Sequence, residues 1–318
     1  MRLIRQLKRT VESNDIAVIY PEARYSLCGT TAVLPESLGK LCKLLGVPVV
    51  SLICHGHHVT SPFWNLHERG IRPTEAEMTL LFTAEDTKEK TVTEINDRIL
   101  EAFRYDDYAW QKQRGLTVTY EGRAEGLDKV LYQCPDCGHE FRMSSEGSIL
   151  KCGHCGHRWE LTELGELSAL DGETIFSHIP DWYEWERANV KAEVQAGTYS
   201  TGELKVSVRT LPNAIKFRDL GEGTLVHDME GFHVHGKERD GEGFDMEIPV
   251  PAMYSCHIEY NYLGKWGDCI DLNTLDDTWY IYPDGSKPFS VTKMALATEE
   301  LYFDHRRKVG RPCREGFA

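Results

Sequence analysis

No stretch of about eighteen apolar residues occurs in this chain of 318 residues, and its opening, "MRLIRQLKRTVESND", lacks the apolar core of a secretion signal. The first absence argues against a membrane-spanning helix and the second against a leader. The expected location is therefore cytoplasmic, with at most peripheral contact at the inner face of the membrane. Excess positive charge is missing too: 36 Lys and Arg stand against 50 Asp and Glu, a net charge of -14 at pH 7. A chain of that sign repels nucleic acid and anionic headgroups as a whole, so nucleic acid is not expected as a partner and any phosphate site must be local. Cysteine is not scarce, but four of the 10 sit in Cys-x-x-Cys pairs and the others are scattered among apolar neighbours. That distribution suits a reducing compartment better than a disulfide framework. What remains is ordinary globular usage, 41% hydrophobic and 27% charged, long enough for two or three domains.

In the amino-terminal third, Leu3, Ile4, Leu7 and Val11 recur at helical spacing beside Arg5, Lys8 and Arg9, which predicts an amphipathic helix. "IAVIY" (16–20) then reads as a strand buried on both faces and stopped by Pro21. "LPESLGKLCKLLG" (34–46) reads as a helix ended by Gly46, and "VPVVSLIC" (47–54) and "EMTLLFT" (77–83) as further strands. Thr91 and Glu94 form a capping box ahead of a closing helix. This alternation predicts parallel pairing in an α/β layer over residues 1–125. Pro21, Glu22 and Arg24 would then lie beyond a strand's carboxyl end, where such sheets bind ligands, with Arg24 able to clamp a phosphate and Glu22 to orient it. "CHGHHVT" (54–60) carries Cys54, His55, His57 and His58, expected as polar loop residues near the cleft.

Residues 126–167 carry the most specific pattern. Cys134, Cys137, Cys152 and Cys155 stand in a Cys-x2-Cys-x14-Cys-x2-Cys spacing, each pair followed by a glycine that lets the backbone turn toward sulfur. Four thiolates satisfy tetrahedral zinc and leave no open position, so a structural zinc ribbon is expected. A stretch this short has almost no core without the metal. His139, His154 and His157 are surplus to ligation and expected to be exposed.

Over residues 168–318 the pattern changes again. "DWYEWERANV" (181–190) reads as a helix whose Trp182 and Trp185 pack. From residue 200 short alternating runs such as "ELKVSVRTL", "GTLVHDME", "GFHVHGK" and "TWYIYPD" recur about every 8 to 12 residues, as in an antiparallel sandwich or barrel. "VTKMALATEELYFDHRR" (291–307) then closes the chain as a helix, the outline of a pleckstrin-homology-like barrel.

The stretch "VIYPEARYS", followed by a glycine, a leucine-rich helix and "GVPVVSL", resembles the glycerolipid acyltransferases, the 1-acylglycerol-3-phosphate acyltransferase family. Tyr20, Pro21, Glu22 and Ser26 match that family's third block, and Val47, Pro48, Val49 and Val50 its fourth. Ala23 replaces a glycine, and Arg24 stands one place early, with Tyr25 at the family's arginine. The resemblance implies substrate binding by Pro21, Glu22 and Arg24, a lysophospholipid acceptor, and an acyl-CoA or acyl carrier protein donor. It also implies a catalytic histidine in an upstream Asn-His-x4-Asp block. No histidine precedes Pro21, so no catalytic residue is assigned, and the string "HGKERD" joining His235 to Asp240 has no family signature around it. The expectation is an amino-terminally truncated acyltransferase with an appended zinc ribbon. The competing expectation is a non-catalytic zinc-ribbon adaptor that binds protein or lipid.

Overall fold

The computed structural model describes residues 2–67, 69, 74–212, 215–274 and 277–311. The chain divides into two compact units, one taking the residues up to Pro62 with His67–Thr117, the other taking Phe63–Leu66 and the chain from Val118 onward.

The first unit is built from α1 (Arg2–Glu12), α2 (Ser37–Leu45), β1 (Val49–His55), α3 (His57–Thr60), β2 (Glu75–Phe82), α4 (Ala84–Glu89), α5 (Val92–Ala102) and α6 (Asp107–Arg114). Reciprocal capping boxes, Thr83 with Asp86 and Thr91 with Glu94, start α4 and α5. Gly46, at φ 62, ends α2 in the left-handed conformation a side chain would resist. Leu34, Phe82, Ile95 and Ile99 form the core, with Leu38, Val49 and Leu81 packed against them. The crossing of α2 and α5 is close: Gly39 donates its N–H to Asn96 Oδ1 at 2.7 Å, and a Cβ there would lie 2.6 Å from the Val92 carbonyl.

Among the described residues the parallel sheet expected here is not present. Residues 16–20 join no ladder among the described residues, and β1 pairs β2 antiparallel, Val50 opposite Leu80 and Leu52 opposite Met78. A parallel pair needs a crossover of a dozen residues or more, usually a helix laid over the sheet. Between these strands the described helix is only α3, four residues long. Only one face of these strands is packed; among the described residues nothing covers the other, where Val50, Leu52, Met78 and Leu80 are 51% to 72% exposed.

In the second unit, α7 (Leu127–Val130) leads into a small antiparallel sheet, β3 (Met143–Glu146), β4 (Ile149–Cys152), β5 (Arg158–Leu161) and β6 (Leu167–Ala169), paired in that order. After α8 (Ile179–Ala196) come β7 (Leu204–Thr210), β8 (Arg218–Asp228), β9 (Gly231–Glu238), β10 (Gly243–Pro249), β11 (His257–Glu259), β12 (Cys269–Asn273) and β13 (Thr278–Pro283), closed by α9 (Val291–Lys308). The seven strands are antiparallel in the order β10-β9-β8-β7-β13-β12-β11, so first and last strands of the run meet in the middle. Val206, Val208, Ile270, Leu272 and Ile281 fall on one face at the two-residue period and are fully or almost fully buried. Most of α9 is buried as well. The alternating pattern and the terminal helix read from the sequence are therefore present.

Glycines let β8 and β9 approach closely. Gly223 faces Gly236 across the ladder, and a Cβ on Gly236 would come 2.4 Å from both the Glu222 carbonyl and the Phe244 ring. Phe244 therefore lies over a position where no side chain fits.

Candidate metal centre

The four cysteines come from two knuckles of the same design. In each, the glycine after the second cysteine returns its N–H to the carbonyl of the first: Gly138 to Cys134 and Gly156 to Cys152, both at 2.9 Å. Those glycines sit at φ 72 and φ 83, which favours glycine over any side chain. The first cysteine of each pair then donates its own N–H two residues beyond that glycine's cysteine, Cys134 to the His139 carbonyl at 3.0 Å and Cys152 to that of His157 at 2.9 Å. Two equivalent turns thus present four sulfurs to one point.

Cys134 Sγ lies 3.7 Å from Cys155 Sγ, Cys137 Sγ lies 3.7 Å from Cys152 Sγ, and all four sulfurs fall within 4.8 Å of one another. A regular tetrahedron with zinc–sulfur bonds of about 2.3 Å has sulfur–sulfur edges of about 3.8 Å. The cysteines are thus positioned to bind one metal ion, and the donor set suits zinc. Four thiolates close the coordination sphere, so the site can hold structure but cannot offer a position to water or substrate.

The surrounding histidines do other work. His139 and His154 are exposed and stacked on each other, ring centroids 3.3 Å apart. His157 was expected to be exposed and is not: it stacks on Trp159 at 4.7 Å and faces Asp136 at 3.4 Å, with 15% of its side chain accessible.

Behind the knuckles, α8 and α9 hold the ribbon. Gln133, immediately before the first ligand, donates its N–H to Glu186 at 2.7 Å, accepts from Trp182 Nε1 at 2.9 Å and receives Asn189 Nδ2 on its side-chain oxygen at 2.8 Å. Glu186 is fully buried, and burial holds its carboxyl well above the usual range, only partly offset by the Gln133 and Tyr132 amides. Lys293 of α9 reaches Glu140 of the ribbon and Glu193 of α8, each at 2.8 Å. Trp159 of β5 meets Trp182 edge-to-face at 5.0 Å, both fully buried. The sequence reading named Trp182 as a packing residue but did not single out Gln133, Glu186, Asn189 or Lys293. One signal was available: Glu186 interrupts the stripe Trp182, Val190, Val194, and a carboxylate on a buried helix face needs a partner.

In the stretch Pro21, Glu22 and Arg24, expected as a phosphate clamp, Glu22 lies within reach of the Arg24 charge. Glu22 is directed into its own loop, where its carboxylate accepts the Ala32 N–H at 2.9 Å. Burial raises its pKa, while that amide and the Arg24 charge pull it back. Ala23 is held at φ 54, so the turn is an internally tied loop. The histidine-rich stretch is structural as well. Asp107 accepts the N–H groups of Gly56 and His58 at 3.2 and 3.1 Å, and buried His58, its pKa lowered by desolvation to about 3, packs edge-on against Tyr108. His235 and Asp240 also have separate partners, the Thr224 hydroxyl at 2.8 Å and the Glu242 amide at 3.3 Å.

Compared with known families, residues 128–159 match a zinc-ribbon family described as "DNA directed RNA polymerase, 7 kDa subunit". The match covers both knuckles and the strands between them. No curated protein and no solved structure matches the chain. The glycerolipid acyltransferase membership expected from residues 20–26 and 47–50 is overturned: the family similarity found lies in the ribbon, and none supports those blocks. The physical reason is visible in the first unit, where the two blocks share no sheet and Glu22 is tied to its own loop.

No described helix is long and apolar enough to cross a membrane.

Proposed function

We propose that this protein is a non-catalytic binding module in which a zinc ribbon fixes the helices that close a β-rich ligand-presenting unit. The observation that carries the reading is the three-way grip of Trp182, Glu186 and Asn189 on Gln133, one residue from Cys134. A metal site built into helix packing in this way acts as a staple, and its closed thiolate set supports scaffolding over chemistry. The seven-stranded order with its closing helix supports the pleckstrin-homology-like outline expected from the sequence, an analogy of shape that specifies no ligand.

The matched family's name belongs to a polymerase subunit, yet a nucleic-acid role is disfavoured here. Arg158 is forked onto Asp171 at 2.9 and 3.1 Å, Arg123 is bound to Glu160 at 3.0 Å, and the chain is strongly acidic. The test is the thermal melting of the β-rich unit after zinc removal. A staple lowers that midpoint together with the ribbon's own signal. A ribbon that merely hangs from the chain leaves it unchanged.

A further inference from the structure

On the face of β11–β13 opposite the apolar core, five aromatic rings surround two carboxyl groups. Glu259 and Cys269 are paired across β11–β12, as are His257 and Asp271. Across β12–β13, Asp271 stands opposite Tyr280, and Tyr282 follows two residues on, facing the same way. The loop between β11 and β12 brings Tyr262 parallel to Tyr280, centroids 5.5 Å apart, and sets Trp266 5.8 Å from Tyr282. Phe217, ahead of β8, meets Tyr280 at 5.0 Å and Trp266 at 5.6 Å.

Among the described residues neither carboxyl group has a counter-charge. Asp271 is 7% exposed, and its one hydrogen bond is from the Cys269 thiol at 3.4 Å. Glu259 is half-buried, and among the described residues no cation lies within ion-pair distance of either carboxylate. Tyr282, 2% exposed, turns its hydroxyl toward the same Cys269 thiol. Arg209 and Lys265 both lie against the Trp266 ring, at 4.3 and 5.8 Å, and Arg209 directs its charge to Asp219 at 3.7 Å. Buried carboxylates of this type are costly unless a cation pairs with them. Burial raises Glu259 to about 7, with Asp271's charge adding, and raises Asp271 to about 6.

We propose that this face binds a methylated ammonium group, caged by Phe217, Tyr262, Trp266 and Tyr280 over the carboxylates of Glu259 and Asp271. Electron-rich ring faces attract a diffuse organic cation, and a methylated one gives up its water more readily than ammonium does. A metal ion fits less well, because the cysteine quartet is the group of three or more ligating side chains found together among the described residues. The half-buried Glu259, Tyr262 and Trp266 leave the cage reachable from solvent.

The inference rests on the binding-module reading and is tested apart from it, since zinc content reports the scaffold and titration reports the cage. Calorimetry of the full chain with tetramethylammonium or choline chloride is expected to show saturable binding, at least about tenfold tighter than with ammonium chloride. Asp271→Asn and, separately, Trp266→Leu are each expected to weaken it by about tenfold or more. Asp271→Asn should at the same time keep or raise the ligand-free melting midpoint, because it removes an uncompensated buried charge; a purely structural carboxylate would lower it. Co-sedimentation with phosphatidylcholine vesicles would assign the group to a lipid headgroup, and choline binding without it to a free solute. Absence of saturable heat with zinc-replete protein, equal affinity for ammonium, or unchanged affinity in folded Asp271→Asn would each overturn the proposal.

Discussion

The backbone N–H of Gln133 donates to the fully buried carboxyl of Glu186 at 2.7 Å, which ties the first zinc knuckle to the middle of α8. Removing the acceptor leaves a buried amide unsatisfied and opens a cavity, so Glu186→Ala should destabilise the second unit by about 2–4 kcal/mol. Glu186→Gln keeps an oxygen at that place and should cost no more than about 1 kcal/mol. Denaturant melting of the two variants checks the ratio. Equal losses would mean that neither the side chain's volume nor an oxygen facing Gln133 accounts for its contribution.

Lys293 joins three elements through Glu140 and Glu193 with 14% of its side chain accessible. Lys293→Met keeps the stem but strands two carboxylates, and a loss of about 2–4 kcal/mol is expected. Raising the salt concentration should change this loss little, because the pair is largely shielded from solvent. A loss that disappears in high salt would place the contact at the surface.

Gly236→Ala would bring a methyl group within 2.4 Å of the Glu222 carbonyl and of Phe244. The strands cannot both keep their register and admit it, so a cost of about 1–3 kcal/mol is expected. Phe244→Leu in the same chain should recover only the part owed to the ring. Full recovery would show that the ladder itself tolerates a side chain there.

These effects separate what the sequence discloses from what it cannot. The cysteine spacing specifies the ribbon because metal geometry allows few alternatives, and the two-residue period from residue 204 specifies strands because one face is buried. The cage was not legible. Cys269 and Asp271, and likewise Tyr280 and Tyr282, alternate visibly along their strands, but only the register places them together beside Phe217, some fifty residues earlier in order. In the first unit the apolar run at 16–20 reads as a buried strand, yet a ladder needs a partner as well as a composition. Ile16, Val18 and Tyr20 are 72% to 89% exposed. Local motif similarity at residues 20–26 misled for a related reason: it says nothing of where the Glu22 carboxylate points.

The caged carboxyl groups also shape the pH dependence of stability. Glu259 and Asp271 are raised to about 7 and about 6 from ordinary values of 4.5 and 3.8. The folded chain keeps protons that the unfolded chain has released, so this burial costs nothing at low pH and stability falls as pH rises from about 4 to 7. His257 and Cys269, with Tyr262, Tyr280 and Tyr282, are the titratable groups facing the pair. Buried His227, its pKa lowered by desolvation to about 3, acts in the opposite sense by losing stability as pH falls through 6.5. The quantity to measure is therefore the difference between the native chain and the Glu259→Gln, Asp271→Asn double variant. That difference should grow in the variant's favour up to about pH 7 and then level. A flat difference would mean that folding shifts the pKa of neither group.

The central claim is that zinc at Cys134, Cys137, Cys152 and Cys155 holds α8 and α9 in place. Hydrogen exchange over α8, measured beside zinc content in the native chain and in Cys152→Ser, tests it most directly. The account predicts one zinc per chain in the native protein, less in the variant, and a clear fall in amide protection from Trp182 through Val194 when zinc is lost. Loss of zinc with α8 protection unchanged would contradict it.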